Sequence, residues 1–312
     1  MREKSQVLSE FWLKVIAIVT MTMDHVGAFM LTSSYSAYFP EGSAGFTIAL
    51  FLRGFGRLSF PLFALMLAEG LHKSHNREKY LLRLGGVWLG ITVIELIFYF
   101  TPSFRSFAMA EAFSDLIMFA LFIYFIEKKG WMKLLALLPL AYILVSYAAS
   151  MSEKLALAGN FTSVWSSYFP VFLRTPYALY GFLLFLGFYY AYPLADVFVT
   201  KGMKLTADER AIYLASKEYR SLINLLSCTF LLVITVLFFA FAYLYPQADI
   251  YGLYSADPKA YSLQTYCLVD IVVIVMYNGK RGYDKKAFRY FEYAYYPLHL
   301  ALLALIFSLI FQ

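Results

Sequence analysis

A chain of 312 residues with 61% hydrophobic and only 15% charged side chains does not fit one or two soluble domains, in which about a quarter of residues are charged. Apolar runs near the ~20 residues needed to cross a bilayer recur along it. The formal net charge of +6 is no nucleic-acid footprint, because the basic residues fall in the short segments between those runs.

The pattern predicts an all-α, polytopic membrane protein: a single domain over 1–312 with about nine transmembrane helices. In chain order the spans are expected at about 12–32, 46–71, 80–100, 111–127, 131–149, 174–195, 221–245, 262–278 and 290–311. The basic start, Arg2 and Lys4, followed by an apolar run resembles a signal peptide. The run contains Asp24-His25 and lacks a small-residue cleavage site, so it reads as a retained first helix. The second span carries Arg53 and Arg57, which predicts a broken or cavity-lining helix. The fourth and fifth are expected to be short and closely linked. Residues 200–220 form the longest polar stretch and suit a short cytosolic amphipathic helix. With the N-terminus inside, 20 of the 26 Lys and Arg fall in the inner segments 1–14, 72–83, 128–133, 200–220 and 280–289. Arg105, Lys154, Arg174 and Lys259 are outer. That bias predicts N-in, C-out topology in the cytoplasmic (inner) membrane. Cys228 and Cys267 sit in apolar runs and read as small buried hydrophobes. No metal-ligand spacing, phosphate-binding loop or nucleophile elbow is present, so no metal is expected.

Four stretches carry ionisable groups where lipid makes them costly. In "FWLKVIAIVTMTMDHVGAF" (11–29), Lys14 lies near the inner boundary and Asp24-His25 about 15 Å further along the helix. Adjacent helical residues diverge, so Asp24 is expected to meet a cation on another helix while His25 faces a cavity. In "LRGFGRLSFPLFALMLAEG" (52–70), Arg53 and Arg57 share one helix face and need an anionic partner; Asp24 is the candidate. Pro61 frees the Arg57 carbonyl. Glu69, with His72, Lys73, His75, Arg77 and Lys79, reads as an inner-surface cluster. "MYNGKRGYDKK" (276–286) places Asn278, Lys280 and Arg281 among glycines that permit a phosphate-binding backbone nest. In "RYFEYAYYPLHLALL" (289–303), Glu292, Tyr296 and His299 can share one face. Glu95, Asp115 and Asp270 read as salt-bridge partners or channel lining.

Blocks of the chain resemble the TraX family: "LKVIAIVTMTMDHVGA" (13–28), "GRLSFPLFALMLAEGLHKS" (56–74), "KYLLRL" (79–84), "YNGKRG" (277–282) and "FEYAYYPLHL" (291–300). The resemblance implies an integral inner-membrane acetyltransferase; the family's namesake is associated with acetylating the pilin of a conjugation system at its N-terminus. The chain is also distantly similar to transmembrane acyltransferases that draw on cytosolic acyl-CoA. Lys14 and His25 resemble their basic-residue, ten-spacer, histidine motif.

On this reading acetyl-CoA is the donor substrate, bound from the cytosolic side. The acceptor is a hydroxyl or amine of a cell-surface glycan or a pilin-like protein on the outer side. His25 is expected as general base, with His299 as alternative base or relay member. Asp24 orients His25 indirectly or holds Arg57. Arg57 and Arg53 stabilise the oxyanion or the pantetheine arm, and Asn278, Lys280 and Arg281 hold the CoA phosphates. Outer-loop aromatics Trp165, Tyr168 and Phe169 suit an acceptor groove. Two rival readings use the same residues: a proton-coupled transporter or flippase, and a scaffold in which His25 serves stability alone.

Overall fold

The computed structural model describes residues 6–32, 34–159, 164–203, 205–246 and 263–311. Arg2, Lys4, Lys204, Lys259 and the start of the expected eighth span lie outside them. These residues contain twelve α-helices, in the order α1 Glu10–Met30, α2 Ala44–Gly56, α3 Ser59–Lys73, α4 Arg77–Phe100, α5 Ala112–Ile126, α6 Leu137–Gly159, α7 Trp165–Tyr168, α8 Ala178–Gly202, α9 Ala207–Leu214, α10 Lys217–Leu244, α11 Asp270–Val275 and α12 Lys286–Ile310. Among the described residues there is no strand, only a lone bridge between Leu8 and Tyr277.

Among the described residues, seven helical segments are long and apolar enough to cross a membrane: Glu10–Met30, Ala44–Lys73, Arg77–Phe100, Gly130–Ala156, Val171–Gly202, Lys217–Leu244 and Lys286–Ile310. Two shorter apolar helices, Ala112–Ile126 and Gln264–Val275, stand where the fourth and eighth spans are expected. The fifth span is not short. It continues through α6 to Gly159, because no helix breaker follows Pro139. The polar segment 200–220 does contain a short helix, α9, but its flanks belong to α8 and α10. A capping box between Thr206 and Glu209 starts α9. The Thr206 amide and hydroxyl donated to Glu209 hold that carboxyl below the ordinary glutamate range.

The second span is broken as expected. α2 ends at Gly56 and α3 begins at Ser59, with Pro61 in its first turn, where a missing N–H costs nothing. α1 packs against α2, α3 and α12, and α3 and α10 pack on α8. The largest buried core joins Leu13 and Ala17 of α1, Phe60 and Leu65 of α3, Phe119 of α5 and Phe185 of α8. Side chains on the outside of the bundle, such as Leu82, Phe100 and Leu237, are apolar and exposed, as lipid-facing positions must be.

Asp115 is fully buried and makes no salt bridge among the described residues. It accepts the amides of Tyr177 (3.1 Å) and Ala178 (2.8 Å), capping α8. Glu95 likewise meets no cation among the described residues and accepts the Met109 amide at 2.9 Å. Asp270 is buried with neither oxygen hydrogen-bonded. Glu69 is no surface residue. It is 3% exposed and pairs with Arg220 of α10 at 3.2 Å and with Lys73, while His72 stacks on Tyr189 and Tyr192 of α8. Cys228 and Cys267 are buried free thiols.

Candidate active site

α1 presents Asp24 and His25 to different neighbours, because successive helical residues diverge by about 100°. The threonines before them do not compete: Thr20 and Thr22 each donate their hydroxyl to a carbonyl one turn back, Ile16 and Ile18, at 2.8 Å.

Asp24 faces α2. Its Oδ2 accepts Arg53 Nη1 at 2.7 Å and its Oδ1 accepts Arg57 Nη2. Arg57 also donates Nε to the Arg53 carbonyl at 3.3 Å. Gly56 makes the clamp possible, since a Cβ there would fall on the Asp24 carboxylate. One carboxylate against two guanidiniums leaves one positive charge uncompensated.

His25 faces α12 and the start of α5. Its Nδ1 is 2.9 Å from His299 Nε2, and its Nε2 is 3.4 Å from Glu111 Oε2. His299 Nδ1 lies 3.1 Å from the Tyr295 carbonyl. A carbonyl only accepts, so Nδ1 of His299 carries the proton and its Nε2 accepts from His25 Nδ1. The second nitrogen of His25 then meets Glu111, and the contact is attractive only if the pair shares a proton. Tyr296 donates its hydroxyl to the same Glu111 oxygen at 2.5 Å. Glu111 is 2% exposed, and its other oxygen, Oε1, has no partner.

Both groups line one cavity of about 550 Å³, walled by Asp24, His25, Arg53, Arg57, Glu111, Tyr177 and Tyr296. The structure therefore brings four sequence-predicted residues, Asp24, His25, Arg53 and Arg57, to one chamber, with His299 immediately behind His25. Asp24 holds the arginines and does not orient His25; Glu111 and His299 do. Glu111 is absent from the sequence reading. It immediately precedes α5, and its one signal in the sequence is an acid at the mouth of an apolar run. Glu292 leaves the His299 face for Lys14, 3.1 Å away.

The remaining predicted residues lie elsewhere. Lys14 is held between Glu10 and Glu292, both at 3.1 Å, in a second cavity of about 340 Å³ that Arg281 also lines. Gly279 and Gly282 both adopt φ of +71°, as the sequence predicts, but the loop backbone is turned to another use. The Asn278 amide donates to the Leu8 carbonyl at 2.8 Å, and the Lys280 amide to Asn278 Oδ1 at 2.9 Å. The Lys280 and Arg281 carbonyls accept the first amides of α1, from Glu10 (2.8 Å) and Phe11 (3.1 Å). The loop thus caps α1. Asn278 is its internal brace, and the exposed Lys280 does not line either cavity.

Helices of bilayer length packed around a buried chamber that holds two arginines, Asp24 and a His–His–Glu chain define a multi-pass membrane protein. The chain belongs to the TraX family: the family's model, described as TraX protein, matches residues 9–239. It is also similar to the probable fimbrial assembly protein FimC, serogroup H1, of Dichelobacter nodosus, with 41% identity over 76 residues. That alignment spans 24% of this chain and 27% of the fimbrial protein. No solved structure matches the chain.

Proposed function

We propose that this protein is a cytoplasmic-membrane acetyltransferase, with acetyl-CoA as donor and a hydroxyl or amine of an envelope component as acceptor. The observation that carries the reading is the chamber. It places a proton-accepting pair, His25 and Glu111, in the same cavity as two guanidiniums that carry one charge in excess of Asp24. Acyl transfer needs those two elements, a base and a positive group for the oxyanion.

The acceptor O–H or N–H gives its proton to the His25–Glu111 pair as the heteroatom attacks the thioester carbonyl. Arg57, with Arg53, faces the oxyanion that forms. When the oxyanion collapses the C–S bond breaks, the acetyl group stays on the acceptor, and the CoA thiolate leaves with the proton. His299 shares the charge that develops on His25 through the 2.9 Å contact. Tyr296, donating to Glu111 Oε2, holds the carboxylate in register. With the N-terminus inside, the chamber lies beneath the outer loops that contribute Leu31, Met109 and Pro176 to its wall. Family membership and the fimbrial relative make a pilus-type subunit a natural acceptor to test beside surface glycans.

The test is acetyl-CoA turnover by the purified protein in nanodiscs, read as release of free thiol with each acceptor. Wild type is expected to turn over, and His25→Ala and Glu111→Gln to lose about 10²–10⁴-fold, the usual contribution of a positioned base, with folding retained. A folded Glu111→Gln with wild-type turnover would remove Glu111 from the chemistry. No turnover by wild type with any acceptor would overturn the reading and favour the transporter alternative.

A further inference from the structure

The chamber and the second cavity are back to back. Met21, Phe63 and Tyr296 line both. α1 passes along the two in succession: Lys14 lines the second cavity, Met21 the wall between, and His25 the chamber. Eleven residues separate Lys14 from His25, about 16 Å at the helical rise. That distance matches the reach of an extended phosphopantetheine arm.

The second cavity has the character of a phosphate site. Five basic side chains line it against three acidic ones. Arg83 donates Nε to the Lys79 carbonyl at 3.2 Å and has no ion-pair partner among the described residues, while Arg289 shares Asp284 with Arg281, at 3.0 and 3.4 Å. Tyr80 and Tyr283 add aromatic rings to the lining. Deeper in, the lining becomes apolar, with Ile18, Met66 and Leu116. A lining that combines basic side chains, aromatic rings and apolar side chains fits a ligand with a phosphorylated aromatic head and a slender apolar tail. Arg83, Arg281 and Arg289 all belong to segments whose basic residues mark the inner face.

We infer that this inner cavity docks the phosphorylated nucleotide end of acyl-CoA, and that the neck of Met21, Phe63 and Tyr296 admits only the thioester arm to the chamber. The assignment rests on the acetyl-transfer reading and replaces Asn278 and Lys280 by Arg83 and Arg289 as the phosphate contacts. It gives the protein a two-sided path, with the donor head held on one face and the acceptor reached from the other.

The experiment is binding of CoA and of adenosine 3′,5′-bisphosphate to wild type, Arg83→Ala/Arg289→Ala and Phe63→Trp in phosphatidylcholine nanodiscs, with acetyl-CoA turnover measured in parallel. Both arginines are exposed, so their loss leaves the fold intact. The double variant is expected to bind both ligands at least tenfold more weakly. Phe63→Trp is expected to bind the bisphosphate as wild type does while turnover falls at least tenfold. If the double variant binds CoA like wild type while wild type turns over, the inner site is refuted and the transferase reading stands. If wild type neither binds nor turns over, both fall. If phosphatidylglycerol in the nanodisc displaces CoA from wild type at physiological salt, the cavity belongs to an anionic lipid headgroup and the inference is overturned.

Discussion

Replacing Asp24 by Asn strips Arg53 and Arg57 of their shared counter-charge. The Asp24 side chain is 14% exposed, with Arg57 at 11% and Arg53 at 25%. Each guanidinium–carboxylate bond is charge-assisted and contributes about 1.5–3 kcal/mol. Losing both therefore costs about 3–6 kcal/mol, close to the ~3–5 kcal/mol seen when one member of a buried pair is removed and the other charge stays behind. Asn retains the shape and one accepting oxygen, which puts Asp24→Asn near the lower end and Asp24→Ala near the upper. Removing a cation as well relieves the imbalance. Asp24→Asn/Arg57→Met is expected to recover at least half of the loss. Asp24→Asn/Arg53→Met is expected to recover less, because the Arg53 side chain is the less enclosed of the two. The assay is detergent-driven unfolding of the purified protein, arranged as a double-mutant cycle on Asp24 and Arg57. A coupling energy within about 0.5 kcal/mol of zero, the scatter expected of independent sites, would refute the clamp.

Two further outcomes follow from the same geometry. Gly56→Ala places a methyl on the Asp24 carboxylate and should cost about 1–3 kcal/mol as an overpacked contact, with turnover lost as Arg57 is displaced. Gly54→Ala, whose added carbon would sit 3.7 Å from Tyr266, should be tolerated, and equal stability of the two variants would contradict the α1–α2 packing. For the N-in topology, Lys154→Cys should react with an impermeant maleimide on intact cells, and Lys133→Cys only after permeabilisation. The two native cysteines are buried and give a quiet background. The reverse pattern would invert the protein in the membrane.

The break in the second span was legible because two arginines, two glycines and a proline within ten residues cannot form an uninterrupted lipid-facing helix. The Asp24–Arg57 pairing was legible from depth alone: a rising and a descending helix each placed one charge at the same level, and lipid leaves buried charges few partners. Glu111 was not legible. Its partner His25 is 86 positions away in the chain, and nothing local distinguishes an acid that turns into a bundle from one that faces the headgroups. Asn278 and Lys280 misled for a related reason. Glycine spacing reports that a loop can adopt positive φ, and both glycines do. It does not report whether the loop's amides and carbonyls face a ligand or, as here, the first turn of α1.

The sequence by itself determined the class: apolar runs of bilayer length, an alternating basic bias, and the few charges that lipid will not hide without partners. Those are properties of single segments and their solvent, so they survive without knowledge of packing. Only the tertiary structure decided that Asp24 serves the arginines while Glu111 and His299 serve His25, and that Lys14 and Arg83 line one cavity while His25 lines the next. Those assignments depend on which faces of α1, α5 and α12 meet, and helix packing sets that through contacts far apart in the chain.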